Sequence, residues 1–272
     1  MGNRVCFMTK EELSSYLSKG MSSQQIAFEK GIGYKTVLYW IKQYSLQTNF
    51  PKLPPLHLDK IETKEWAYFI GFVCGDGSIT ETEVVELTLA LKDKEILDFF
   101  VKHLFSGSKV RIDLTEIPEQ RRKPQARLIR KIVGIKKFYG GRLKEDRNLP
   151  IVSPHLVRYL VMGFFDADGC ITWGRRKDRN RVWQKVMFKS CGHSAMVSLQ
   201  KILLKLKIST RMSVTQGAYV LEFCDKHEVL KFLDWLYADK SFIVLKRKFE
   251  KYKALRLELG ENEEGANLGN LQ

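Results

Sequence analysis

A twelve-residue segment of this chain recurs in diverged form. FIGFVCGDGSIT (69–80) and VMGFFDADGCIT (161–172) align without a gap at an offset of 92, with six identities: Gly71/Gly163, Phe72/Phe164, Asp76/Asp168, Gly77/Gly169, Ile79/Ile171 and Thr80/Thr172. Each copy is an apolar stretch that ends in Asp-Gly, where the glycine can supply the left-handed backbone that closes a helix. Gly71 and Gly75, like Gly163 and Ala167, stand four residues apart, so small residues share one helical face and let two backbones approach closely. The two stretches therefore read as short helices packed on each other. A carboxylate at a helix C-terminus meets the negative end of the helix dipole. Two of them brought together, Asp76 and Asp168, repel unless a cation lies between them. Magnesium suits such a place, because it binds through one or two carboxylates, waters and phosphate oxygens. A carboxylate pair holding metal beside a phosphodiester is an arrangement for metal-assisted hydrolysis.

The elements around each copy repeat as well. In the first half Val85, Leu87, Leu89 and Leu91 alternate with Glu86, Thr88, Ala90 and Lys92, a half-buried strand. A helix follows through Ile96, Phe99, Phe100 and Leu104, then a second alternation at Val110, Ile112 and Leu114. The second half repeats this order, with a strand near 181–189, a helix near 194–206 and strands near 208–214 and 218–224. The fold class expected is α+β: two pseudo-symmetric αββαββα-like units, 61–152 and 153–257.

Residues 9–46 read as three short helices. Thr9 with Glu12 makes a capping-box start, Ser22-Ser23 can cap a second helix, and Gly31-Ile32-Gly33 forms a turn. In the third, Val37, Trp40, Ile41 and Tyr44 form an inward stripe that leaves Lys35, Thr36, Tyr39 and Lys42 outward. Helix, glycine turn and basic-aromatic helix is a helix-turn-helix pattern, whose second helix enters the major groove; a generic three-helix interaction module shares much of it. The module is placed at 1–50. The proline-containing stretch 51–60 lacks periodicity and reads as a linker, and 258–272 reads as a disordered acidic tail.

The charge balance points the same way. The chain has 272 residues and a net charge of +15; removing the four acids of 258–272, which contain no base, leaves +19 on residues 1–257. Such a field attracts polyanions, nucleic acid or an anionic membrane surface. No apolar run reaches the roughly 18 residues a membrane span needs, and no signal peptide is evident. Five scattered cysteines without a Cys-x-x-Cys pair suit reduced thiols in an intracellular protein; the expected place is the cytoplasm or nucleoid of a bacterium or phage-infected cell, with an organelle as the alternative.

VMGFFDADG (161–169) resembles the LAGLIDADG motif, with Gly163, Asp166, Ala167, Asp168 and Gly169 at the family's positions; FIGFVCGDG (69–77) matches through Gly71, Asp76 and Gly77, with Cys74 where the family often has Asp. The resemblance covers about 61–257 and suggests the single-chain, two-motif homing endonucleases. It implies a saddle of two sheets on DNA, with Asp76 and Asp168 as metal ligands assisted by the carbonyls of Gly75 and Ala167. It also implies a lysine after the last helix of each unit, pointing to Lys144 and Lys246. Ordinary phosphate-contacting or solvated lysines are the alternative for both.

The function this implies is magnesium-dependent double-strand cleavage of a long DNA site, as in intron homing, by a monomer with no obligate protein partner. Manganese is an expected substitute, and calcium is expected to support binding without cutting. Arg175, Arg176, Lys177, Arg179 and Arg181 form a basic hairpin tip, continued by Lys185 and Lys189; Arg121, Arg122, Lys123, Arg127 and Arg130 are its expected counterpart in the first half. Two other readings use the same scaffold: a non-cleaving transcription regulator and an RNA-binding intron maturase. Retention of both aspartates argues against the first. The helix-turn-helix, which fits the B-form major groove and not the deep groove of RNA, argues against the second.

Overall fold

The computed structural model describes residues 8–19, 21–46, 53–114, 123–139, 147–176 and 181–260. The chain divides into two compact units, Met1–Pro54 and Pro55–Gln272. The start of the disordered tail expected at 258–272 is corrected, because Glu258 still belongs to a helix that Leu259 caps; the stretch from residue 261 onward lies outside the described residues.

The first unit holds α1 (Lys10–Ser18), α2 (Ser23–Lys30) and α3 (Tyr34–Gln43). The Thr9 hydroxyl accepts the Glu12 amide at 3.2 Å. Ser22 and Gln25 cap α2 reciprocally, the Ser22 amide donating to Gln25 Oε1 at 2.8 Å and the Gln25 amide to Ser22 Oγ at 3.3 Å. Gly31 closes α2 in the left-handed region (φ 62°). Leu13, Leu17, Ile26, Ala27, Val37 and Ile41 form a core of their own with Met8, and Trp40 and Tyr44 pack against it. On α3 this leaves Lys35, Tyr39 and Lys42 exposed and Thr36 half-buried.

The second unit is built twice over. Its first copy runs α4 (Lys64–Asp76), β2 (Gly77–Ile79), β3 (Val84–Ala90), α5 (Lys94–His103), β4 (Arg111–Asp113) and β5 (Gln125–Val133), preceded by a short strand β1 (Leu56–His57). Its second copy runs α6 (Val157–Asp168), β6 (Gly169–Arg176), β7 (Arg181–Ser190), α7 (His193–Lys205), β8 (Arg211–Thr215), β9 (Ala218–Phe223) and α8 (Lys226–Leu236), followed by α9 (Lys246–Glu258). The second sheet has the order β6-β7-β9-β8; in the first, β2-β3-β5 runs in the same order and β4 pairs with β5. One topology therefore serves both copies. They differ at the end: where the second closes with α8, the first has, among the described residues, a 3-10 turn at Ile135–Phe138.

Part of the stretch without periodicity is structural. Leu56 and His57 pair in parallel with Ile132 and Val133, and the Leu58 amide bonds the Val133 carbonyl at 2.9 Å. Two residues are too few to show a period, and their partner is far away in sequence. Gly134 (φ 89°) completes this contact, because a Cβ there would stand 2.7 Å from the Leu58 carbonyl oxygen. A single apolar core joins the two copies, from Leu58 to Leu255. Among the described residues no helix is long and apolar enough to cross a membrane.

Candidate active site

The site begins with two helices that are buried almost all round. In α4 every residue from Ala67 to Gly75 is buried, and in α6 every residue from Leu160 to Asp166. Glycine makes this possible. A Cβ on Gly71 would lie 2.0 Å from the Leu160 carbonyl oxygen, and one on Gly163 would lie 2.0 Å from the Tyr68 carbonyl oxygen. Those two contacts exchange under the offset of 92. The third, Gly75 against the Cβ of Ala167 at 2.4 Å, maps onto itself. A pseudo-two-fold axis therefore passes between Gly75 and Ala167, one residue before Asp76 and Asp168.

The two glycines that follow have a different role from the one their position suggested. Gly77 (φ −82°, ψ 151°) and Gly169 (φ −88°, ψ 157°) are extended, not left-handed. The chain passes from helix straight into β2 and β6, and this sharp exit leaves no room for a side chain. A Cβ on Gly77 would stand 2.7 Å from the Val73 carbonyl oxygen, and one on Gly169 2.6 Å from that of Phe165.

Asp168 is half-buried and turns toward the other helix, its Oδ2 3.4 Å from where a Gly75 Cβ would be. Asp76 is exposed and lines a cleft of about 230 Å³ with Phe72, Thr88, Leu89, Ala90, Asp93, Asp166, Leu245 and Arg247. Among the described residues no three His, Cys, Asp or Glu groups cluster as a closed metal cage. Two carboxylates at the ends of touching helices fit an ion that keeps its waters and takes oxygen from a phosphate, as magnesium does.

Asp166 stands where the first copy has Cys74, and it ties the two helices together. It is buried, and its Oδ2 accepts from the Tyr68 hydroxyl at 2.8 Å, across the helix pair. Burial pushes its carboxyl up to about 6 against the opposing pull of Lys248 and Tyr68.

The start of α9 carries three successive basic residues. Lys246, expected beside the phosphate, is exposed and ion-paired to Glu95 at 2.6 Å. Arg247 is the one that lines the cleft with Asp76, held by buried Asp93 at 3.1 Å. Lys248 is buried, and burial brings its ammonium down to about 8. The helical turn of about 100° per residue sends neighbours in different directions, so spacing alone could not choose among them. Lys144 lies outside the described residues.

The expected DNA contacts divide by face. Lys123 and Arg127 are exposed, Arg127 with Glu86 at 2.5 Å. Arg130 corrects the expectation: it is 7% exposed, on the core side of β5 with Ala126, Leu128 and Ile132. Strand alternation sends 127 and 130 to opposite faces. The same rule puts Lys131 on the open face with Arg127, a residue the sequence reading had missed. In the second sheet Lys189 is exposed and Lys185 bridges to Glu222 at 2.9 Å. Arg211 and Trp183 share that open face, by the pairings Arg211↔Glu222↔Met187 and Trp183↔Gly174. Arg175 is exposed and ion-paired to Glu258. Arg176 and Arg181 pair across the hairpin end; their side chains, and Arg121, Arg122, Lys177 and Arg179, lie outside the described residues.

Residues 156–236 match a family model described as a LAGLIDADG-like domain. Among solved structures, the fold is similar to the I-SmaMI LAGLIDADG homing endonuclease bound to cleaved DNA: TM-score 0.51, 9% identity, covering 77% of this chain and 93% of that one. It is also similar to LAGLIDADG homing endonuclease I-GzeII in complex with its DNA target: TM-score 0.50, 10% identity, covering 75% and 93%. The N-terminal LAGLIDADG domain of DUF199/WhiA aligns at TM-score 0.46 and 12% identity, over 64% of this chain and 82% of that one. No curated protein matches the sequence. This chain thus contains a LAGLIDADG-like domain at 156–236 and has the fold of the LAGLIDADG homing endonucleases.

Proposed function

We propose that this protein is a site-specific DNA endonuclease that makes magnesium-dependent double-strand breaks by phosphodiester hydrolysis. One observation carries the reading: the two Asp-Gly helix ends meet at a pseudo-two-fold axis where Gly75 touches Ala167. A packing device has no use for two like charges at that point, whereas a site that cuts two antiparallel strands needs two equivalent carboxylates.

Asp76 and Asp168 would hold the metal, with the carbonyls of Gly75 and Ala167 as further oxygen donors. When bound, magnesium supplies an activated water and stabilises the leaving oxygen. Arg247, in the cleft with Asp76, offsets the charge of the phosphate. The open sheet faces hold the duplex through Arg127, Lys131, Lys185, Lys189 and Arg211, which set affinity and position. Arg127 and Lys185 exchange Glu86 and Glu222 for phosphate on binding. The α3 surface of Lys35, Thr36, Tyr39 and Lys42 extends recognition by entering a major groove. The protein acts as a monomer inside the cell, since both copies lie in one chain; manganese replaces magnesium, and calcium supports binding alone.

The test is selection of cleaved sites from a randomised duplex library in magnesium, repeated with Asp76→Asn and Asp168→Asn. Each variant is expected to lose double-strand cleavage and to keep duplex affinity in calcium, because Asn preserves shape and removes charge. Full cleavage by either variant removes that aspartate from the site. Tight, specific binding by the wild type without any cleavage leaves the transcription-regulator reading instead.

A further inference from the structure

The carbonyl end of a helix attracts cations, yet neither α4 nor α6 has a basic residue in its last turn. Packing accounts for one position of each last turn, since Gly75 and Ala167 meet so closely that neither place admits a long side chain. The cation comes instead from later in the chain, and it reaches an equivalent place in both copies. Arg147 is 3% exposed, and its Nη1 donates to the carbonyls of Val73 at 2.9 Å and Gly77 at 2.8 Å. Lys248 is also 3% exposed, and its Nζ donates to the carbonyls of Phe165 and, at 2.8 Å, Asp166. Val73 and Phe165 correspond under the offset of 92, each three residues before its aspartate. Their carbonyls also accept the amides of Gly77 and Gly169, the residues just after those aspartates.

Each cation also sits over an aromatic ring, Arg147 5.7 Å from the centroid of Tyr139 and Lys248 5.0 Å from that of Phe165. Burying a cation is unfavourable unless hydrogen bonds compensate it. Two unlike cations, from unlike segments, donate such bonds at the same backbone position.

We infer that Arg147 and Lys248 are positioning residues, each clamping the terminal turn of one helix and thereby setting the carboxylate of Asp76 or Asp168 for one strand of the duplex. The clamp itself stands on the structure; its consequence for each strand rests on the endonuclease reading.

The experiment compares full-length wild type with Arg147→Met, Arg147→Lys and Lys248→Met. Amide hydrogen exchange is read in peptides spanning 73–79 and 165–171, and first-strand nicking is read on a selected duplex labelled on each strand. Arg147→Met is expected to speed exchange in 73–79 alone and to slow nicking of one strand about tenfold, equivalent to about 1.4 kcal/mol in barrier. Lys248→Met is expected to do the reverse in 165–171 and on the other strand. Arg147→Lys keeps the charge and recovers part of the loss on the same strand; it also carries the comparison if Arg147→Met does not fold. Duplex affinity in calcium stays at the wild-type level in all three. Equal slowing of both strands, or exchange changes spread over the whole unit, would show a general structural role and overturn the inference. If the wild type cuts no site, the endonuclease reading fails by itself. The clamps are then judged by exchange alone, where local loosening upholds them and unchanged exchange removes them.

Discussion

The contact at the axis can be tested by moving one methyl group from one helix to the other. In Gly75→Ala the new Cβ stands 2.4 Å from the Cβ of Ala167, a full ångström short of the 3.4 Å at which ordinary contact begins. Overpacking of this kind costs about 1–3 kcal/mol, and Ala returns about 1 kcal/mol of helix propensity. A net loss of about 1 kcal/mol is expected, or about 2–4 °C in Tm for a unit of this size. Ala167→Gly alone costs about 1 kcal/mol in propensity. The double variant Gly75→Ala/Ala167→Gly has a single methyl at the contact and balanced propensities, so its stability should return to within about 0.5 kcal/mol of wild type, with strong non-additivity. Gly163→Ala behaves differently, because its Cβ would meet the Tyr68 carbonyl oxygen at 2.0 Å and the Phe72 amide nitrogen at 2.7 Å. No side chain can be trimmed to relieve that, and a net loss of about 2 kcal/mol or more should persist in every side-chain background. Urea and thermal unfolding of the four variants and the wild type measure this. Cleavage adds a second reading: the Cβ of Gly75→Ala also lies 3.3 Å from Asp168 Cγ, so the double variant should regain stability more fully than activity. A Gly163→Ala protein as stable as wild type, or a double variant no better than Gly75→Ala, would refute the close crossing.

Three further outcomes follow from particular residues. Asp239 accepts from the Ser241 hydroxyl, the Tyr159 hydroxyl and Lys64, which hold its carboxyl well below the usual value of 3.8. A depressed folded pKa gives stability that is complete above the unfolded value and lost as pH falls through the folded one. The gap between wild type and Asp239→Asn should therefore narrow as pH drops below about 4, and urea titrations showing a constant gap would count against it. Arg127→Ala should lower the slope of log affinity against log salt by about one while changing stability by no more than about 0.5 kcal/mol; Arg130→Ala should destabilise the fold and leave the slope alone. Deleting residues 1–54 should leave the second unit cooperatively folded, because each unit has its own core; a truncated protein without a sharp unfolding transition would contradict this.

The local features of this protein are legible in its sequence because each carries a short-range signal. A gapless repeat exposes the two helix ends, small residues at a spacing of four mark the face where backbones touch, and Ser22 with Gln25 announces its cap. Arg130 was legible too, since it shares the parity of Ala126, Leu128 and Ile132, and alternation outweighs membership of a charged cluster. Other features leave no local signal. Leu56 and His57 become a strand only because Ile132 and Val133 lie beside them. Gly77 and Gly169 are marked by sequence as helix endings, but the need for glycine comes from a turn into strand so tight that a Cβ would strike the preceding carbonyl. Lys246, Arg247 and Lys248 are one run of like charges in sequence. In the structure they reach Glu95 of the first copy, Asp93 beside the cleft and the carbonyls that end α6. Composition and period determine which elements form and which face each one buries. Which charge meets which partner is decided when distant segments pack, because a helix turns about 100° per residue and only the neighbours it meets give each direction a meaning.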